Sequence, residues 1–171
     1  MIWPLLLGLL CSCGSGQREQ SQSDWFVAAL SSIAHVADSD ARTQAYPGSG
    51  KGPSLVDLNE LSKIAFQITG ERLTTRSIAA GLPANARDIP RERAITCTSA
   101  PVSCEVMDDG VFLQLDSLVR RGDRVQAGIT TVTTERSMPG RPATCHRQLI
   151  IEATRNGREW KVIDTKLWAT C

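Results

Sequence analysis

The stretch LIIEATRNGREWKVI, residues 149–163, carries the strongest local structural signal in the chain. Its centre, Asn156-Gly157, is the dipeptide preferred in the type I′ turn of a two-residue hairpin loop. Counting outward from that turn pairs Ala153 with Trp160, and it places an apolar row on one face and an ion pair on the other. The sequence therefore predicts an antiparallel hairpin with one buried face at the end of the chain.

The residues before this hairpin also alternate between apolar and polar. Strands are predicted over 104–107 and 111–119, around an Asp108-Asp109-Gly110 turn. Arg121-Gly122 marks a further tight reversal, after which 125–134 predicts another strand with one buried face. Together with the final hairpin, these segments predict an antiparallel meander of about four or five strands.

Two amphipathic helices are predicted ahead of the meander. The first covers residues 24–38 and ends at Asp38-Ser39-Asp40. The second begins at Ser54, because Ser54-x-x-Asp57 matches the acidic form of a capping box, and it stops at Gly70. Helices packed on one face of an antiparallel sheet make a two-layer α+β domain.

This order of elements resembles the NTF2-like, or cystatin-like, group. The stretch Arg158-Glu159-Trp160-Lys161-Val162 also resembles the "G-x-W-K-V" ending common in that group. The resemblance covers residues 24–169 and implies N-terminal helices packed in the concavity of a curved antiparallel β-meander. The group includes ligand-binding, assembly and enzymatic members, so the fold does not by itself select a function.

The N-terminus has the character of an export signal. Residues 1–10 are apolar almost throughout. Such a run is shorter than the roughly 20 apolar residues of a membrane span, and it has the length of a signal-peptide h-region, about 7–15 residues. Leu10-Cys11-Ser12-Cys13 resembles a bacterial lipobox, which makes Cys13 the predicted lipid-attachment residue.

These features divide the chain into three predicted segments: a signal peptide over 1–12, the lipidated cysteine and a flexible polar tether over 13–23, and a single α+β domain over 24–171. Ordinary cleaved secretion and an uncleaved N-terminus are the alternatives. A lipid anchor makes the membrane the predicted partner and places the domain in the cell envelope, on its periplasmic or outer face. The net charge of +1 gives no electrostatic reason to expect nucleic acid as a partner.

The predicted domain contains four cysteines, Cys97, Cys104, Cys145 and Cys171. An even count in an oxidising compartment predicts two disulfides. Cys97–Cys104 is the natural local pair, which leaves Cys145 for Cys171, although the other connectivities remain open. No two of these residues have the tight C-x₂-C spacing of a zinc site, so no metal is predicted.

The sequence carries no recognisable catalytic motif. Its two histidines are His35 and His146, and neither a G-x-S-x-G elbow nor an H-E-x-x-H helix is present. The acidic pairs Asp38/Asp40 and Asp108/Asp109 are explained by a helix end and a hairpin turn. No cofactor is predicted.

Trp160 and Trp168 lie on the last predicted strand and share a face if no bulge intervenes. Core packing is the favoured prediction for these two indoles, and lining of an apolar pocket on the concave side of the sheet is the alternative. The sequence therefore predicts an envelope lipoprotein with a small non-enzymatic binding or structural domain, whose protein partner or small apolar ligand is not identified. The alternative is a small NTF2-like pocket enzyme, of hydrolase or isomerase type, that uses a carboxylate or His146 within the concavity.

Overall fold

The computed structural model describes residues 22–45, 48–99, 102–134 and 146–169. Within these ranges the chain is a mixture of α-helices and β-strands. The helices are α1 (Gln22–Gln44), α2 (Leu58–Thr69), α3 (Thr75–Ala79) and α4 (Arg91–Ala94). The strands are β1 (Ser54–Val56), β2 (Arg87–Asp88), β3 (Ile95–Ser99), β4 (Val102–Val106), β5 (Val111–Arg121), β6 (Arg124–Thr133), β7 (Arg147–Asn156) and β8 (Glu159–Ala169).

Six of these strands form one sheet, in the order β2-β1-β5-β6-β7-β8, while β3 and β4 form a separate two-stranded sheet. The four strands β5 to β8 are consecutive and antiparallel, which confirms the predicted α+β class with an antiparallel meander. In the described residues, β1 and β2 enlarge that meander on the β5 side through parallel pairing.

Helix α1 lies across the meander and contacts all four of its strands. Its buried residues recur at helical spacing, as an amphipathic helix requires. Phe26, Leu30 and Ile33 belong to one apolar cluster with sheet residues such as Ile129 and Ile151. This cluster is the main core of the domain, and it lies between α1 and the sheet.

The predicted end of α1 at Asp38-Ser39-Asp40 is wrong, because the helix continues to Gln44. Asp38 accepts a hydrogen bond of 2.7 Å from Arg42 Nε, one turn further along the helix. Asp40 pairs with Arg147 of β7 at 3.1 Å. Both carboxylates therefore have charged partners, which stabilise a helical segment whose residue types otherwise favour turns.

The predicted start of α2 at Ser54 is also wrong. Ser54 belongs to β1, and Asp57 is the N-cap, where its carboxylate accepts hydrogen bonds from the backbone N–H groups of Asn59 and Glu60. The predicted stop is confirmed, since Gly70 follows the helix with a left-handed φ of 72°.

The final hairpin is confirmed, but its turn lies one residue further along than predicted. The loop is Gly157-Arg158 rather than Asn156-Gly157, and Gly157 has a φ of 65°. A glycine at the first central position is what a type II′ turn requires. Ala153 consequently lies opposite Val162, so the predicted pairing of Ala153 with Trp160 is wrong.

The strands flanking Asp108-Asp109-Gly110 do not pair with each other. β4 pairs with β3, and β5 lies between β1 and β6. Asp108 and Asp109 both have a φ of 53°, in a short 3₁₀ turn that separates the two sheets. The predicted reversal at Arg121-Gly122 is confirmed, and it joins β5 to β6.

At the end of the sheet that carries β1, the face of the sheet opposite α1 is covered as well. Leu55, Phe112 and Val132 pack there against Ala94 of α4 and Val106 of β4. None of the described helices has the length and apolar composition that crossing a bilayer requires.

Candidate functional site

The structure bears on one of the predicted disulfides. Cys97 and Cys104 lie directly opposite each other on β3 and β4 and are bonded, with their Cα atoms 4.0 Å apart. This confirms the predicted local pair. The predicted lipidation residue Cys13 and the second predicted pair, Cys145 with Cys171, lie outside the described residues.

The two tryptophans of β8 have different environments. Trp160 is 4% exposed, whereas Trp168 is 72% exposed. Trp160 packs against Trp25 of α1, with ring centroids 6.3 Å apart, and the Arg120 guanidinium lies 5.0 Å from the Trp25 ring centroid. These are core contacts with a cation–π component. Irregularities in the β7–β8 pairing interrupt the regular alternation between the two tryptophans.

The candidate site is a cavity of about 310 Å³ between α1, α2 and β5. Its volume lies at the lower end of the range for small-molecule sites, about 300–1,000 Å³. The buried residues that line it are all apolar. They are Leu30, Ala34, Val56, Leu61, Leu82, Phe112, Leu113, Leu115 and Ile129.

The cavity extends past the edge of β5, because four consecutive residues of that strand, 112–115, line it. Side chains alternate between the two faces of a strand. Leu113 and Leu115 belong to the core beneath α1, so Phe112 and Gln114 point to the opposite face of the sheet. The edge of β5 is accessible here because its pairing with β1 ends at Leu55 opposite Phe112, after which the chain turns into α2.

The polar lining residues lie at the mouth of the cavity. They are Asp57, Glu60, Arg91 and Gln114, and each is exposed or half-buried, whereas the apolar lining is buried apart from the half-buried Ile64. Arg91 Nη1 donates a hydrogen bond to Gln114 Oε1. Gln114 Nε2 in turn donates to Asp116 Oδ1 at 2.8 Å, which fixes the orientation of the amide.

The two carboxylates at the mouth are compensated within the fold. Asp57 caps α2, where the positive end of the helix dipole favours a negative charge. Glu60 forms an ion pair with Lys63, with Nζ and Oε1 2.5 Å apart, and hydrogen bonding to this carboxylate raises the pKa of Lys63. Among the contacts of the described residues, Arg91 instead faces a neutral amide. The mouth therefore carries one positive charge without an acidic partner in those contacts.

The histidines lie outside this lining. His146 immediately precedes β7, and burial, followed by the charge of Arg91, lowers its pKa below the ordinary histidine value. His35 is exposed on α1, with Nδ1 2.8 Å from the carbonyl oxygen of Ser31 one turn earlier.

A second polar cluster fixes the loop that follows α1. Arg42 Nη1 donates to the carbonyl oxygens of Gly50 and Gly52, and Arg42 Nη2 donates to Ser54 Oγ at 3.1 Å. Ser54 Oγ donates to Asp38 Oδ1 at 2.8 Å. These contacts are internal to the fold, so the cluster positions β1 and, through it, the start of the cavity wall.

In the parts of the chain that the structure describes, no three histidine, cysteine, aspartate or glutamate side chains are grouped as a metal site requires. Comparison with known proteins adds no match: no family model, no curated protein and no solved structure matches this chain. Function is therefore inferred from two features, the chemistry of the cavity and the N-terminal sequence.

Proposed function

We propose that the chain is an exported envelope lipoprotein, anchored through Cys13, whose non-enzymatic domain binds an apolar ligand in the cavity between α1, α2 and β5. The cavity itself is the observation that carries this proposal. Its buried lining is apolar, and its polar groups are confined to the mouth. Such sites gain affinity by removing apolar ligand surface from water, while a few polar groups orient the ligand.

The disulfide supports the export part of the proposal. Disulfides persist in oxidising compartments and are rare in the cytosol. The Cys97–Cys104 bond therefore fits an exported protein, as does the apolar leader that precedes Cys13. The position of α1 across an antiparallel meander, with a cavity between helices and sheet, supports the resemblance to the NTF2-like group.

We give less weight to a small pocket enzyme. A catalytic site in this cavity would need a base or nucleophile directed at the substrate. Asp57 is engaged as a helix cap, Glu60 is paired with Lys63, and His146 does not line the cavity. The cavity contacts therefore favour binding over catalysis.

Filling the cavity is expected to abolish ligand binding without unfolding the domain. Ala34 lies on α1 and lines the cavity, so the flexible side chain of Ala34→Met has space to enter it. We expect wild-type protein to bind the neutral fluorophore N-phenyl-1-naphthylamine, and the variant to bind it at least about ten-fold more weakly, as measured by fluorescence titration.

The matched control is Ala28→Met, on the same helix but outside the cavity lining, and it should bind like wild type. Melting temperatures within a few degrees would show that both variants fold. If wild-type protein fails to bind the fluorophore, or Ala34→Met binds it unchanged, the cavity is not a ligand site.

Intact mass spectrometry of protein from a membrane fraction tests the anchor separately. We expect a chain that begins at Cys13 and carries added acyl mass. Alkylation after reduction should label two more cysteines than alkylation without reduction, because reduction opens the Cys97–Cys104 bond. The difference should be four if Cys145 and Cys171 are also paired. An unprocessed chain with free thiols would refute export.

A further inference from the structure

We propose that the ligand is a single-chain anionic amphiphile, whose alkyl chain occupies the cavity and whose negatively charged head group binds Arg91. This inference rests on the proposed function, namely that the cavity binds an apolar ligand, and it names the chemical class of that ligand.

The path of the cavity favours a flexible chain over a compact ring system. One end lies beneath α1, among Leu30, Ala34 and Ile129. The other end passes the open edge of β5 and reaches Gln114 and Arg91. An alkyl chain can follow such a path around a strand edge, because each of its bonds rotates, whereas a rigid ring cannot.

The volume sets an approximate chain length. An apolar cavity of about 150 Å³ holds benzene, with roughly six carbon atoms. The present cavity, at about 310 Å³, is about twice as large. By proportion it accommodates about twelve carbon atoms.

The charges at the mouth favour a negative head group. Asp57 and Glu60 are compensated by a helix N-terminus and by Lys63, so they oppose an anion only weakly. Gln114, oriented by Asp116, holds the guanidinium of Arg91 at the mouth. A guanidinium has five N–H donors, and the contact with Gln114 leaves others for a carboxylate or phosphate.

Displacement of N-phenyl-1-naphthylamine from the intact protein distinguishes head groups of equal chain length. At concentrations below the solubility limit of dodecanol and the critical micelle concentrations of the two ionic compounds, dodecanoate should compete at least about ten-fold better than dodecanol, and dodecylamine no better than dodecanol. This preference should disappear in Arg91→Gln, while dodecanol competes as before. Arg93→Gln is the matched control, because Arg93 is exposed on the same short helix and does not line the cavity.

A series of saturated fatty acids of increasing length tests the predicted length of the alkyl chain. Each added methylene should strengthen binding about four-fold, as expected for its transfer from water, until the chain reaches roughly twelve carbons. A free carboxylate and a phosphate head group share the required charge. Comparing dodecanoate with a lysophosphatidylglycerol of the same chain length shows whether the site prefers a free fatty acid or a phospholipid. Preferential binding of either one supports the proposal.

Three results would overturn the inference while leaving the cavity as an apolar binding site, two of them with the amphiphiles and one with a peptide. The first is equal competition by dodecanoate and dodecanol in wild-type protein, and the second is an unchanged preference in Arg91→Gln. Competition by an extended apolar peptide, without competition by dodecanoate, would likewise replace the amphiphile with a protein partner. Absence of fluorophore binding would instead remove the proposed function itself.

Discussion

Replacing Arg42 with methionine is expected to lower the free energy of unfolding by about 3 kcal/mol, the low end of the range for breaking a buried ion pair. The side chains of Arg42 and Asp38 are only 25% and 14% exposed. The substitution leaves the Asp38 carboxylate without its cation and the carbonyl oxygens of Gly50 and Gly52 without a charged donor. Urea denaturation at neutral pH measures the loss.

An exposed ion pair on a neighbouring helix provides the control. Lys63 and Glu60 are 66% and 59% exposed, so Lys63→Met should cost less than about 1 kcal/mol. The double variant Asp38→Asn/Arg42→Met should be more stable than Arg42→Met alone, because no uncompensated charge is left. Equal losses for Arg42→Met and Lys63→Met would show that the Arg42 cluster does not stabilise the fold.

Replacing Phe26 with alanine is expected to cost about 4 kcal/mol, the usual range for a phenylalanine removed from a core being about 3–5 kcal/mol. Phe26 is fully buried on the face of α1 that crosses the meander, and its ring packs edge-on against Trp25 at 6.1 Å. For a domain of this size, the melting temperature should fall by about 10 °C. Thermal unfolding followed by far-ultraviolet circular dichroism measures the change.

Phe66 is the matched comparison, since it is also a helical phenylalanine but is 48% exposed. Phe66→Ala should cost less than about 1 kcal/mol. Similar losses for the two variants would contradict the placement of the core between α1 and the sheet.

Local residue patterns correctly predicted the end of α2 and the chain reversal after β5. Gly70 ends α2 and Gly122 begins the turn between β5 and β6, because both positions need a left-handed φ that glycine adopts without strain. The amphipathic spacing of α1 likewise predicted the helix that covers the meander.

Patterns failed wherever a distant partner decides between two acceptable local structures. Ser54 and Asp57 are both good N-caps, but β1 pairs with β2 and β5 and so places Ser54 in the sheet. Asp38 and Asp40 are typical of a helix end, yet Arg42 and Arg147 hold them in a helix. The i, i+4 spacing of Asp38 and Arg42 is a local signal, but no local pattern records the contact of Asp40 with Arg147 or the strand pairing of Ser54.

The cavity was the least predictable feature. Its lining comes from α1, β1, α2, α4, β5 and β6, from Asp57 between β1 and α2, and from Leu82 after α3, so no single segment contains its pattern. The sequence instead suggested the tryptophans of β8, of which Trp160 joined the core. Arg91 had no predicted role, because its proximity to Gln114 arises only in the folded chain.

The pairing of β1 with β5 has a consequence for the order of folding. The hairpins β5–β6 and β7–β8 close through tight turns, and such hairpins form in about 1–10 μs. Ser54 meets Val111 only after the whole segment containing α2, α3 and α4 has been looped out, and such long-range closure is slow. We therefore expect β1 to dock last. The cavity opens where β1 ends, so we expect its mouth to be completed late in folding. A bound ligand should therefore slow unfolding more than it accelerates refolding.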